Sequence, residues 1–364
     1  MNKKIGVALF GYGTVGKGVY TLINELDKSY NVKLLKVFDL PDKKDELKDL
    51  LETDYNKIIT DPSIDIIIEC LGGDTLAYKI ISQALAHSKS VISSNKETIS
   101  NHFDEYISLA KANNCAILFE ASCGGGIPLL HNVIEISKFD TINSFEGILN
   151  GTTNFILSKM FNENMDFDVA LRFAMDSGYA EKDPTADLHG LDLVRKGHIL
   201  ASIAFNAKLD NKMIKNYGIE HLNNEIIDEL RLENQVLKFL VRGTKVDDKV
   251  YLNVMPVILK KSNPLTDVND VFNGVNLYCK NNSLLTFIGK GAGKFPTASA
   301  IMQDLMHLIV YQENINRDKA IYYDIENKYP GKYYVFKNHH SNIVQDPTKE
   351  ILDQYDFVAF INED

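Results

Sequence analysis

The chain has 364 residues and a formal charge of −10, with 45% hydrophobic and 24% charged residues. These proportions are those of an ordinary globular protein of two or three domains, and the acidic balance gives it no electrostatic reason to bind nucleic acid or an anionic membrane. No apolar run approaches the ~20 residues of a membrane span, the N-terminal run is too short for a signal peptide, and four cysteines without a CxxC pair read as reduced thiols of a cytoplasmic protein.

Over the first 120 residues two periodicities alternate. Runs rich in β-branched residues at 5–10, 32–38, 64–69, 90–92 and 116–120 predict strands, and stretches at 14–26, 43–51, 75–88 and 103–113 predict helices. Strand alternating with helix implies a parallel sheet with right-handed crossovers. The run Asp65-Ile66-Ile67-Ile68 lacks polar alternation, as expected of a strand covered on both faces. Beyond Ser122 a Gly-rich loop at 123–126 leads into a helix. A strand over 141–149, helices over 152–162 and 168–177, a long loop and a helix from about Leu191 follow. Strands over 236–244, 250–259, 274–280 and 284–288 then predict an α+β domain with a largely antiparallel sheet. A Gly-rich turn and a helix over 297–308 precede a tail rich in Tyr and His, with strand-like pieces at 333–337 and 356–361. The domain plan is a nucleotide-binding domain at 1–128, a second domain at 129–296, a helix at 297–308 returning to the first, and a C-terminal extension at 309–364.

Gly11-Tyr12-Gly13-Thr14-Val15-Gly16 lies between the first strand and the first helix. In that context the first glycine permits a tight turn, the second lets the backbone approach a pyrophosphate, and the third lets the helix pack on the strand. The helix N-terminus offers N–H groups to the anion. Asp39, after the second strand, stands where an acid bonds the ribose 2′-hydroxyl of NAD. Lys43 and Lys44 lie just beyond and could instead serve the 2′-phosphate of NADP, or be solvated loop charges. Ser93-Ser94-Asn95-Lys96 follows the fourth strand, at the sheet edge where such folds place their sites. Glu120 to Pro128 contains three consecutive glycines; it can serve as an interdomain hinge or turn carbonyls inward around a hard cation.

Gly178 to Lys196 gathers acids into a loop and the first turn of a helix, where they could hold an ammonium group. Asp192 and Lys196 are one turn apart and share a face. They read either as a buried structural pair or as a lysine held ready to give a proton to a substrate oxygen. Gly289 to Ala300 is a second Gly-rich turn opening a helix, without Walker spacing.

Gly11–Gly16, Asn95-Lys96, Glu120–Pro128, Gly147-Ile148-Leu149-Asn150-Gly151-Thr152-Thr153-Asn154, Tyr179–Lys196 and Gly289–Ala300 together resemble homoserine dehydrogenase, in that family's order and over about residues 5 to 305. The resemblance implies an α/β protein: an N-terminal Rossmann-type parallel sheet, a second α+β domain for substrate binding and dimerisation, and a short C-terminal extension. It implies NAD(P)H-dependent reduction of L-aspartate 4-semialdehyde to L-homoserine, on the route to threonine and methionine, by a homodimer. Lys196 would be the proton donor, with Asp192 ordering the site and Lys96 beside nicotinamide and substrate. Glu181 would bind the substrate with Asp187 and Asp192. Gly11, Gly13, Thr14, Val15, Gly16, Asp39, Lys96 and Gly293 would hold the cofactor. The backbone carbonyls of Glu120, Cys123, Gly125 and Ile127 would bind sodium, with Cys123 standing where the family usually carries Val. The tail is too short for a complete βαββαβ ACT module, which argues against feedback by threonine.

Overall fold

A computed structural model describes residues 4–311, 315, 320–326 and 330–363. The chain forms two compact units. One is built from residues up to Ile134 plus the segment beginning at Ala292, and the other from Glu135–Gly291 plus the C-terminal stretch from Ile321.

The first unit holds a six-stranded parallel sheet of β1 (Ile5–Phe10), β2 (Val32–Phe38), β3 (Leu51–Glu52), β4 (Ile66–Glu69), β5 (Ser90–Ser93) and β6 (Ile117–Leu118), in the order β3-β2-β1-β4-β5-β6. Every residue of β4 is buried, which accounts for its unbroken isoleucines. The chain reverses its direction of winding between β1 and β4, so the loops after these two strands flank the crevice where such sheets bind ligands. The expected helix over 43–51 is broken into short turns, with Lys44–Leu47 its only α-helical part, and Leu51–Glu52 is an edge strand paired with β2. The helix expected from 297 begins a turn earlier, at Lys294, with Pro296 in its first turn. It crosses the helix Thr14–Glu25 at Gly18, where an added Cβ would come within 2.7 Å of the Lys294 carbonyl oxygen.

The second unit is a mixed ten-stranded sheet. β7 (Ile142–Ile148) lies between β10 (Gln235–Val246) and β12 (Phe272–Cys279); β11 (Lys249–Lys260) pairs with β10 and β13 (Ser283–Lys290) with β12, all antiparallel. β8 (Ala207–Lys208) pairs apart from this sheet with β14 (Ile321–Tyr322). β9 (Lys215–Asn216) and β15 (Ile325–Glu326) add to β11 in parallel. The tail supplies β16 (Lys332–Lys337), β17 (His340–Gln345) and β18 (Phe357–Ile361), and β18 joins β11 in parallel. The two strand-like pieces expected in the tail are thus present, together with β17 between them. None of the described helices is long and apolar enough to cross a membrane.

The helix Leu191–Ala204 lies on this sheet and is buried almost all round. Two glycines allow its close approach. Gly190 has φ +82°, and a Cβ there would sit 2.8 Å from Phe239 and Val254. A Cβ on Gly197 would sit 2.3 Å from Val241 Cγ2. Gly197→Ala raises helix propensity, yet it forces the helix off β10 and lowers stability by about 1–3 kcal/mol. Urea denaturation reads this directly; an unchanged midpoint would show that the helix has room to shift.

Candidate active site

In the first unit the sequence after β1 folds as a nucleotide-binding turn requires. Gly11 has φ +92°, and its N–H donates to the Phe38 carbonyl (2.9 Å), which ties the turn to the end of β2. A Cβ on Gly16 would collide with the Gly11 carbonyl at 1.9 Å, so only glycine lets the helix begin there. Gly13 differs: nothing lies within 4 Å of its Cβ position. It caps the helix Thr14–Glu25 without a side-chain bond, leaving Thr14 and Val15 at the first helical positions. Open space over a helix N-terminus fits a pyrophosphate. Asp39 sits at the carboxyl end of β2. Its carboxylate accepts from the N–H of Tyr12 and from that of Leu40 (2.7 Å), which holds it beside the Gly-rich turn. Lys43 is paired with Asp42 at 3.0 Å, and Lys44 is exposed.

Lys96 opens the helix Lys96–Asn101, whose N-cap is Asn95. Asn95 Oδ1 accepts from the N–H groups of Glu97 and Thr98, and its Nδ2 donates to the carbonyls of Leu71 (3.2 Å) and Gly73 (2.7 Å). Beneath it the Glu69 carboxyl accepts from the Leu71 N–H (2.6 Å) and from the Ser93 hydroxyl (2.5 Å), and the Asn95 N–H donates to Ser93 Oγ (3.1 Å). Glu69, at the end of β4, therefore fixes both the 70–73 loop and the residue before Lys96. Complete burial pushes its pKa up to about 7, against the opposing hydrogen bonds from Ser93, Leu71 and Asn95.

The Glu120–Pro128 loop winds around its own acid. The Glu120 carboxyl accepts from the N–H groups of Leu129 (2.6 Å), Leu130 (2.8 Å) and His131 (2.7 Å), and its own N–H donates to Asp304 Oδ2 (2.9 Å). Burial, reinforced by the neighbouring Asp304 charge, raises its pKa to about 7. Gly124 and Gly125 have φ of +86° and +64°. The Glu120 carbonyl accepts from the Cys123 N–H (3.3 Å) and the Ile127 carbonyl from the Leu129 N–H (2.8 Å). Each carbonyl oxygen has a second lone pair, so these oxygens remain compatible with a hard cation. Cys123 is buried and in no disulfide. Among the described residues, no side-chain group of three or more His, Cys, Asp or Glu is disposed to hold a metal.

In the second unit Asp187, Asp192 and Lys196 come together. Lys196 Nζ donates to Asp192 Oδ2 (2.7 Å) and to the Leu149 carbonyl (2.5 Å), with Lys196 only 8% and Asp192 3% exposed. Asn150 Nδ2 bridges Asp187 Oδ1 (2.7 Å) and Asp192 Oδ2 (2.9 Å), while its Oδ1 accepts from the N–H of Thr153 (2.8 Å) and caps the helix Gly151–Glu163. Thr152 Oγ1 donates to the Tyr179 carbonyl (2.6 Å), drawing the acidic loop onto the same cap. Glu181 is exposed and takes no part in this network. Gly293, in the first unit, caps the helix Lys294–Met306 with φ +127° and without a side-chain bond.

Reading of side-chain chemistry passed over Asn150 and the Leu149 carbonyl, which hold the pair in place. The signal was present in Asn150-Gly151-Thr152-Thr153, an Asn followed by hydroxyl residues where a helix starts. Glu69 and Ser93 were missed because a carboxyl ending an apolar strand carries no sequence signature.

A family model described as homoserine dehydrogenase matches residues 128–306, and one described as its NAD-binding domain matches residues 11–120. A homoserine dehydrogenase of Bacillus subtilis is 37% identical over 314 residues, covering 84% of this chain and 72% of its own. Among solved structures, a homoserine dehydrogenase from Thiobacillus denitrificans superimposes with a TM-score of 0.85 at 28% identity, covering 92% of this chain and 84% of that one. One from S. aureus does so with 0.82 at 28% identity, covering 100% and 99%.

Two consequences are measurable. Asp192→Ala leaves the Lys196 ammonium buried without its carboxylate and costs about 3–5 kcal/mol in urea denaturation; a loss below 1 kcal/mol would mean that the ammonium readily reaches water. The Glu69 carboxyl rises from 4.5 unfolded to about 7 folded. Its contribution is therefore complete below pH 4.5 and lost as pH rises through about 7. Glu69→Gln cannot ionise; its Oε1 can still accept from the Leu71 N–H while its Nε2 donates to Ser93 Oγ, so its Tm relative to the unmodified protein should climb across that window. A Tm difference flat with pH would place the titration elsewhere.

Proposed function

Given that the chain belongs to the homoserine dehydrogenase family and is an oxidoreductase with an NAD-binding domain, we propose that it interconverts L-aspartate 4-semialdehyde and L-homoserine, with Lys196 as the acid–base group. The observation that carries this is the buried cluster of Lys196, Asp192 and Asn150, with the half-buried Asp187 bonded to its edge. Asp192 and the Leu149 carbonyl hold this ammonium on two sides and so fix its orientation. Such a group can give a proton to an aldehyde oxygen and take it back from an alcohol. Asp187 and the exposed Glu181 bind the amino-acid end of the substrate, whose ammonium their carboxylates suit, and Asp192 keeps Lys196 in place. When bound, the nicotinamide dinucleotide supplies or receives the hydride. Gly11, Gly13, Thr14, Val15 and Gly16 hold its pyrophosphate, Gly293 and Lys96 complete its contacts, and Lys96 also meets the substrate.

Asp39, held beside the Gly-rich turn by two backbone N–H groups, bonds the ribose 2′-hydroxyl in this reading, which favours NAD. Lys43 and Lys44 provide positive charge for NADP at lower efficiency. The carbonyls of Glu120, Cys123, Gly125 and Ile127 form a cage for sodium. We further assign the second unit as the substrate-binding and dimerisation part of a cytoplasmic homodimer serving threonine and methionine synthesis.

The test is oxidation of homoserine with NAD and NADP side by side, with and without threonine. Turnover is expected with both, faster with NAD, and insensitive to threonine. Lys196→Ala should lower kcat by roughly 10²–10⁴ while the protein still binds dinucleotide. Near-normal kcat in that variant would remove Lys196 from the role, and no turnover of homoserine by the unmodified protein would end the reading.

A further inference from the structure

Asn273 is the second residue of β12 and is completely buried. Among the described residues neither its Oδ1 nor its Nδ2 has a hydrogen-bond partner. Leaving both ends of a buried amide unmade is costly, and native proteins rarely accept such groups without a use for them.

The backbone around this residue is firmly placed. Asn154 Nδ2 donates to the carbonyls of Val268 (3.1 Å), Asp270 (3.1 Å) and Phe272 (3.0 Å), so the segment leading to Asn273 is fastened to the helix whose cap, Asn150, holds Asp187 and Asp192. Asn273 itself pairs with Gly289 across β12 and β13.

What lies against the amide is the second Gly-rich turn. A Cβ on Gly291 would sit 2.2 Å from Asn273 Oδ1 and 2.5 Å from Nδ2, so the turn's bare backbone rests on the amide. The pairing of Gly289 with Asn273 and of Lys290 with Phe272 carries β13 up to this turn, and the Gly291 N–H donates to the Val271 carbonyl at 3.4 Å. Gly291 closes the second unit, and two residues later Gly293 begins the helix Lys294–Met306.

We propose that Asn273 is a positioning residue for dinucleotide binding: its buried amide takes its hydrogen bonds from the backbone of the 289–291 turn in the dinucleotide-bound enzyme and so fixes the segment that leads to Gly293. The inference rests on the reading, given above, that Gly293 meets the cofactor. An amide that gains its bonds from the bound arrangement of the turn favours that arrangement.

The experiment compares the full-length protein with Asn273→Leu, an apolar replacement of similar size. Fluorescence titration with NADH, Tm without ligand, and the kinetics of homoserine oxidation are measured on both. A replacement that removes two unsatisfied groups should leave the ligand-free Tm equal or higher. The Kd for NADH should rise roughly tenfold, the loss of about one such bond, with kcat at saturating NAD nearly unchanged. An unaltered Kd overturns the proposal, as does a lower Tm with unaltered Kd, which is what an amide satisfied by a buried water would give. Should Asn273→Leu not fold, Asn273→Ser takes its place with the same expected rise in Kd. Failure of both to fold also overturns the proposal, because the free protein would then depend on the amide. The NADH titration needs no substrate, so an unmodified protein that binds NADH but does not oxidise homoserine refutes the proposed reaction while leaving the role of Asn273 to be judged by Kd.

Discussion

The second unit depends on keeping a charged lysine out of water. Lys196 and Asp192 are both almost wholly buried, and desolvating such a pair costs several kcal/mol per ion unless the remaining valences are met. Here Lys196 is met by Asp192 and the Leu149 carbonyl, and Asp192 in turn by Asn150. Both Leu149 and Asn150 follow directly on β7, the strand between β12 and β10. The pair can reach them only because Gly190 and Gly197 let the helix settle onto β10 and β11. Thus two absent side chains place the helix, the helix places the ion pair, and the ion pair is aimed by groups on another element.

The first unit uses the same logic with hydrogen bonds in place of an ion pair. Glu69 ends one buried strand and Ser93 the next, and their mutual bond orients Asn95, the cap that precedes Lys96. Positions proposed to contact a ligand are therefore carried on caps, and the caps are held by buried polar groups beneath them. Placing polar groups where burial perturbs them is costly, and the raised pKa values of Glu69 and Glu120 record that cost. The return is a set of loops whose backbone is fixed by hydrogen bonds as well as by apolar packing.

Much of this was legible in the chain. The Gly11–Gly16 turn, the acid at 39, the alternation of strands and helices over the first 120 residues, and the shared face of Asp192 and Lys196 are all local patterns, and local patterns are what periodicity and spacing report. The stretch 43–51 misled because its charged and leucine residues suit a helix, whereas pairing with β2 claims Leu51–Glu52 and breaks the remainder into turns. β17 went unnoticed because its residues are mostly exposed and polar, and only the hairpin with β16 makes them a strand.

By itself, then, the sequence determined the type of fold and the family and singled out candidate site residues, because each of these is written in residues close together along the chain. Tertiary structure alone decided which groups hold those residues: Asn150 across Asp187 and Asp192, the Leu149 carbonyl under Lys196, Glu69 under Asn95, and Gly291 against Asn273. These partners lie from 18 to 47 positions apart. A contact between them is fixed by where whole helices and strands come to rest, and no spacing along the chain encodes that.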